Sequence, residues 1–212
     1  MSWRCGTALV VQGELQHPAE GAWTALLQTL HDAAPSGAIT LALPGLTLQG
    51  CVVEGEVYAG RCWLRLVGGR GKLAAEIPGQ HFRLATARVV AEHLLAAAGE
   101  QLDPGSSADL DQILEHWHYF GGRCAAALDE LCRVIGCAWW ATPAGLIFLG
   151  TRTWPTAAPA GALVLDVRAD VRRMGVALTD AALEPGTTYQ GRQVLAVDHR
   201  LTPTTWRAQV RW

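Results

Sequence analysis

Glu184-Pro185-Gly186 opens a stretch that runs Thr188-Tyr189-Gln190-Gly191-Arg192-Gln193-Val194-Leu195-Ala196-Val197-Asp198-His199-Arg200-Leu201 and ends on Thr205-Trp206-Arg207-Ala208-Gln209-Val210-Arg211-Trp212. Apolar and polar residues alternate between turn formers, which is the period of strands that bury one face. This reading predicts strands that close a small β-barrel at the C-terminal end of the sequence, with the segment to Trp212 structural rather than a tail. Upstream, Thr153 to Gly161, with Pro155, Pro159 and several alanines, reads as a linker, and Ala162-Leu163-Val164-Leu165-Asp166-Val167 resumes the strand pattern. Arg168 to Arg173 fits a strand extension or a helical turn equally well.

The middle of the chain has a different period. Thr86 is placed to cap a helix whose apolar stripe is Val89, Val90, Leu94 and Ala97, and Gly99 is placed to stop it after about three turns. Ser107 is placed to cap a second helix carrying Leu110, Ile113, Leu114 and Trp117, ended by Gly121-Gly122. A third carries Cys124, Leu128, Leu131, Cys132 and Ile135 on one face, so both cysteines read as core thiols. Cys137 to Ala141 and Leu146 to Gly150, about a turn at Pro143, read as a hairpin. Before residue 80 strands and glycine turns dominate. Trp23 to Leu30 has helical spacing at 23, 26, 27 and 30 but reads as a strand because β segments flank it. The fold class is therefore α+β, mostly β. It has an antiparallel N-terminal β domain (1–80), a central helical segment with a β-hairpin (81–154) and a small C-terminal β-barrel (155–212).

Half of the residues are apolar, so the chain can bury a core without staples. Seventeen basic side chains against nineteen acidic ones leave a net charge of -2, which provides no global field for a nucleic-acid backbone or an anionic membrane surface. No apolar run reaches a membrane span, and Met1 to Val11 is too short in apolar residues for an export signal. Low charge together with nine tryptophans implies apolar surface that meets another protein, with Trp3, Trp154, Trp206 and Trp212 as interface candidates. The six cysteines lack C-x-x-C spacing and read as reduced thiols, although Cys51 and Cys62 are candidates to face each other across a hairpin.

Each constellation that suggests chemistry has a plainer reading. His116 and His118 lie near Cys124, Cys132 and Cys137 but lack zinc-ligand spacing, and on a helix they would point about 200° apart. No metal or cofactor is expected. Thiol catalysis lacks any nucleophile motif. Glu54 and Glu56 share a strand face as a pair of hydrolytic carboxylates would, and equally as a solvated edge does. Gly68-Gly69-Arg70-Gly71-Lys72 lacks the phosphate-loop spacing and reads as a strand-to-helix connector. Arg168, Arg172 and Arg173 interleave with Asp166 and Asp170 as local ion pairs, and His199 reads as a polar edge residue.

Several stretches taken in order carry a resemblance: Gly50 to Gly55 through Arg65 to Leu73, Val89 to Leu102, Ala127 to Leu131 with Trp139-Trp140, Gly145 to Pro155, and Pro185-Gly186 through Leu201 with Trp206. The sequence resembles small tail proteins of long-tailed phages, related to the baseplate hub proteins of contractile-tailed phages, over most of the chain after about residue 35. The resemblance implies a non-enzymatic homotrimer at the virion tail tip, assembled in the host cytoplasm. It would join the tail tube or distal tail protein, near the tape measure, to a spike or fibre. Two other classes stay open, a tryptophan-rich β module binding host-surface glycans and a cell-wall hydrolase.

Overall fold

A computed structural model describes residues 2–156, 162–179 and 181–212. The N-terminal strands are β1 (Arg4–Cys5), β2 (Ala8–Pro18), β3 (Thr24–Thr29), β4 (Gly37–Leu43), β5 (Leu46–Tyr58) and β6 (Arg61–Gly68). Then come β7 (Glu76–Thr86), α1 (Ala87–Ala98), β8 (Ile113–Arg123), α2 (Cys124–Ile135), β9 (Ala138–Ala141) and β10 (Ile147–Gly150). The C-terminal part holds β11 (Ala162–Arg168), β12 (Arg173–Leu178), β13 (Thr188–Tyr189), β14 (Arg192–Gln193), β15 (Ala196–Leu201) and β16 (Trp206–Arg211).

One long strand organises the architecture. β2 pairs along one edge with β3; its other edge pairs first with β1 (Cys5 opposite Ala8) and then with β15 (Leu201 opposite Gly13, Ala196 opposite Pro18). β1 also pairs with β4, so β1-β4-β5-β6-β3-β2 closes into a six-stranded barrel. From β2 the same sheet continues outward as β15-β16-β12-β11. The barrel therefore closes at the N-terminal end, not at the C-terminal end as the alternation of residues 184–212 suggested. Alternation identifies a strand with one buried face but not its neighbour, and β2, at 11 residues, is long enough to serve two. The expected linker lies largely at residues 157–161, outside the described residues.

The barrel seats Trp23 on a floor without side chains. Gly50 and Gly68 face each other across β5 and β6, and a Cβ built on either would lie 2.6 or 2.7 Å from the Trp23 indole. The strand expected over Trp23 to Leu30 is β3, with Trp23 and Leu30 just outside its ends.

In the centre, α1 begins where Thr86 Oγ1 accepts the Val89 N–H and stops at Gly99, whose φ is 85°. α2 buries Cys124, Leu128, Leu131 and Cys132 as its period predicts. The expected second helix is instead a short 3₁₀ turn at Ala108–Asp111 followed by β8, which pairs with β7 as a long ribbon. The ladder is interrupted at Leu84, whose φ is 50°, and the buried face changes side there. Leu114 is buried before the interruption and Trp117 after it, so two buried residues of a strand stand three apart, as on a helix. The helices pack against this ribbon, and one contiguous core runs from Trp3 to Val210.

Candidate interaction surfaces

The four tryptophans expected at an interface divide into two pairs. Trp3 is 0% exposed and Trp206 is 4% exposed. Their rings meet edge-on with centroids 6.0 Å apart, and both contact His199. They fill the seam between the barrel and its C-terminal extension and present no face to a partner. Trp154 and Trp212 are half-buried. The Trp154 carbonyl accepts from Thr188 Oγ1 at 3.2 Å, and the Arg192 guanidinium lies 4.2 Å from the Trp212 ring centroid. Trp212 borders a groove with Arg172, Arg173, Leu195 and Arg211.

His199 is part of the seam rather than of an edge. Its ring lies 3.0 Å from the Leu183 carbonyl through Nε2, which therefore carries the proton, and burial pushes its pKa down to about 4. His17 is pushed down to about 3 by burial, with His199 and Arg152 adding repulsion. Both imidazoles are neutral at physiological pH, as their burial in the packed seam requires.

The exposed apolar surface is elsewhere. β11 pairs with β12 on one side, and among the described residues no strand covers its other side. Along this edge Leu163 is 65% exposed, Leu165 48% and Val167 45%. Its seven residues include two charges, Asp166 and Arg168, and a bulge between Val164 and Asp166, features that limit pairing with another chain, so the apolar part of the edge is Ala162 to Leu165. A second patch lies on the β7–β8 ribbon, where the His81 and His116 rings stack, His118 meets Phe120 edge-on, and Phe120 is 91% exposed. On a strand His116 and His118 share a face, contrary to the helical geometry expected for them. Among the described residues no group of three or more His, Cys, Asp or Glu side chains is placed to hold a metal ion.

Sequence reasoning missed both patches. The edge position of β11 has no signal in its own residues, whereas the run of aromatics from Trp117 to Phe120 carries strand propensity that outweighs its false helical spacing.

The remaining constellations resolve structurally. Glu54 and Glu56 lie on the exposed part of β5, beyond its pairing with β4, and Glu54 pairs with Arg65 at 3.7 Å. Arg168 pairs with Asp170 at 3.3 Å. Cys51 stands opposite Val67 and Cys62 opposite Val57, so register keeps these thiols apart, and all six cysteines are free. The Gly68–Lys72 segment connects β6 towards β7 rather than a strand to a helix. It does cradle an anion, which comes from this chain: the buried Glu100 carboxylate accepts the N–H groups of Arg70 at 2.9 Å and Lys72 at 2.7 Å. Gly69, with φ 78°, is required there because a Cβ would lie 2.8 Å from Glu100 Oε2. No helix is long and apolar enough to cross a membrane among the described residues.

No protein-family model matches the chain, and no curated protein matches it in sequence. Solved structures do match it. The 43 kDa tail protein of prophage MuSo2 from Shewanella oneidensis superposes with a TM-score of 0.70 at 10% identity, over 99% of this chain and 96% of that one. An Escherichia coli component of the type VI secretion system, itself similar in structure to the T4 bacteriophage tail proteins gp27 and gp5, gives 0.71 at 12% identity over 99% and 76%. A tail protein of Neisseria meningitidis MC58 gives 0.64 at 11% identity over 99% and 94%. At these identities the likeness concerns the fold: the chain has the fold of phage tail proteins and of their type VI secretion counterpart.

Proposed function

We propose that the protein is a structural component of a phage tail, a hub at the tail tip that joins the tail tube or distal tail protein to the central spike or fibre. The observation that carries this reading is the similarity of fold to tail proteins from Shewanella oneidensis and Neisseria meningitidis along nearly the whole of each chain. The surface supports it. A free strand edge with exposed Leu163, Leu165 and Val167 suits a subunit whose neighbours complete its sheet, and three copies arranged head to tail satisfy such edges without an open filament. No enzymatic activity is assigned. The glycan-binding alternative needs a platform of exposed tryptophans, whereas Trp3, Trp23, Trp117, Trp139 and Trp206 are buried, Trp140, Trp154 and Trp212 are half-buried and Trp63 alone is exposed, at 47%.

Light scattering of the purified protein tests the reading. A particle of three 22.7 kDa chains, alone or on addition of a distal tail protein, is the expected result. A monomer under both conditions overturns the hub assignment.

A further inference from the structure

Cys132 and Cys137 stand at the two ends of the turn that terminates α2. Gly136 takes a left-handed conformation with φ 74°, and the N–H groups of Gly136 and Cys137 both donate to the Cys132 carbonyl, the second at 3.0 Å. A main-chain bond spanning five residues in this way brings the two side chains it connects into contact. Here both are thiols. Such a turn holds the residues within the reach of a disulfide, whose Cα atoms lie about 4.4–6.8 Å apart. Both sulfur-bearing residues line an open cleft with Glu20, Asp129 and Trp139. Cys132 is itself buried and Cys137 half-buried; among the other cysteines Cys5, Cys62 and Cys124 are buried, and Cys51 is half-buried with its thiol donating to the Val52 carbonyl.

We propose that Cys132 and Cys137 form a redox-active dithiol that closes to an intramolecular disulfide, with a small disulfide such as glutathione disulfide as the oxidant. Cys137 is the entering nucleophile. The neighbouring Cys132 thiol and the Gly150 backbone hold its thiol below the ordinary range, while Cys137 and burial raise Cys132. Cys137 loses its proton to solvent and attacks one oxidant sulfur; the oxidant S–S bond breaks, and one glutathione leaves as a thiolate that takes up a proton. Cys132 then gives its proton to solvent and attacks the Cys137 sulfur, expelling the second glutathione. Two electrons pass from the protein thiols to the oxidant, and the products are one protein disulfide and two glutathione thiols. The bond ties the last turn of α2 to the start of β9, two elements already joined by Trp139 Nε1 donating to Asp129 at 2.7 Å.

The test treats the full chain with glutathione disulfide, blocks the remaining thiols by alkylation and digests with trypsin. Cleavage after Arg133 separates the two cysteines, so closure appears as two linked peptides with a loss of about 2 Da. The same experiment in Cys124→Ser removes the other thiol of the first peptide and should leave the link intact. In Cys132→Ser the second step is blocked, and Cys137 should keep one glutathione, acquired about tenfold faster than Cys51 acquires one. Recovery of fully reduced wild-type protein, glutathione retained on wild-type Cys137, or modification of Cys51 at an equal rate would overturn the proposal.

Discussion

β16 and β11 belong to one sheet, separated only by β12, yet their surroundings are opposite. Trp206, Ala208 and Val210 of β16 are buried between β15 and β12, whereas Leu163, Leu165 and Val167 of β11 face solvent at the sheet's end. The comparison shows that apolar residues in a strand do not by themselves fix its burial, which depends on elements that fold onto it from elsewhere in the chain or from another chain.

The most severe way to challenge this contrast is to empty the covered side. Trp206→Ala removes an indole packed on Trp3 and His199 and should lower folding stability by about 3–5 kcal/mol. Urea unfolding followed by far-UV circular dichroism reads the effect, and a loss below 1 kcal/mol would mean that the seam is not a close-packed core.

The same seam should give the protein an acid limit. In the unfolded chain His17 and His199 titrate near 6.5, whereas burial lowers them to about 3 and about 4 in the fold. Above pH 6.5 both states carry neutral rings and the full stability is present. As pH falls from 6.5 towards 4, the unfolded chain takes up protons that the fold excludes, and stability drops by up to about 1.4 kcal/mol per pH unit for each ring. Glu184, raised by burial, works in the opposite direction, so the His199→Gln variant is needed to isolate the imidazole. Its unfolding free energy should fall less steeply between pH 7 and pH 4.5 than that of the wild type; equal slopes would place the proton sensitivity in other groups.

Gly50→Ala, on the floor beneath Trp23, should cost about 1–3 kcal/mol by overpacking, and a Trp23→Leu background should recover part of it.

Legibility in the sequence followed the same division between strand and setting. Local signals located both helices: Thr86 and Gly99 bound α1 and the stripe of α2 is the one observed, but in α1 the expected stripe holds only at Val90 and Leu94, because Val89 and Ala97 are exposed and Ala91, Leu95 and Ala98 take the buried face. Errors arose where long-range pairing decides. Nothing in Ala196–Leu201 indicates that its neighbour is β2, and the change of buried face at Leu84 gave Leu114 and Trp117 a helical separation. The candidate surface was misread for a related reason. Tryptophan suits cores and interfaces equally, so Trp3 and Trp206 were indistinguishable from Trp154 and Trp212 until their strands had neighbours.

The smallest effect on folding should come from the uncovered side, and it sharpens the contrast most. Leu163→Lys with Leu165→Lys places two charges on an edge that already faces water, so the monomer should change by no more than about 0.5 kcal/mol in urea unfolding. If another chain completes the sheet at β11, the same pair of charges should nevertheless abolish the trimer, because an added strand would bring them against its own apolar side chains. Unchanged folding with lost assembly would identify β11 as a face held open for a partner. Unchanged folding with retained assembly would move the contact elsewhere, with the ribbon bearing Phe120 the next surface to test by Phe120→Ala.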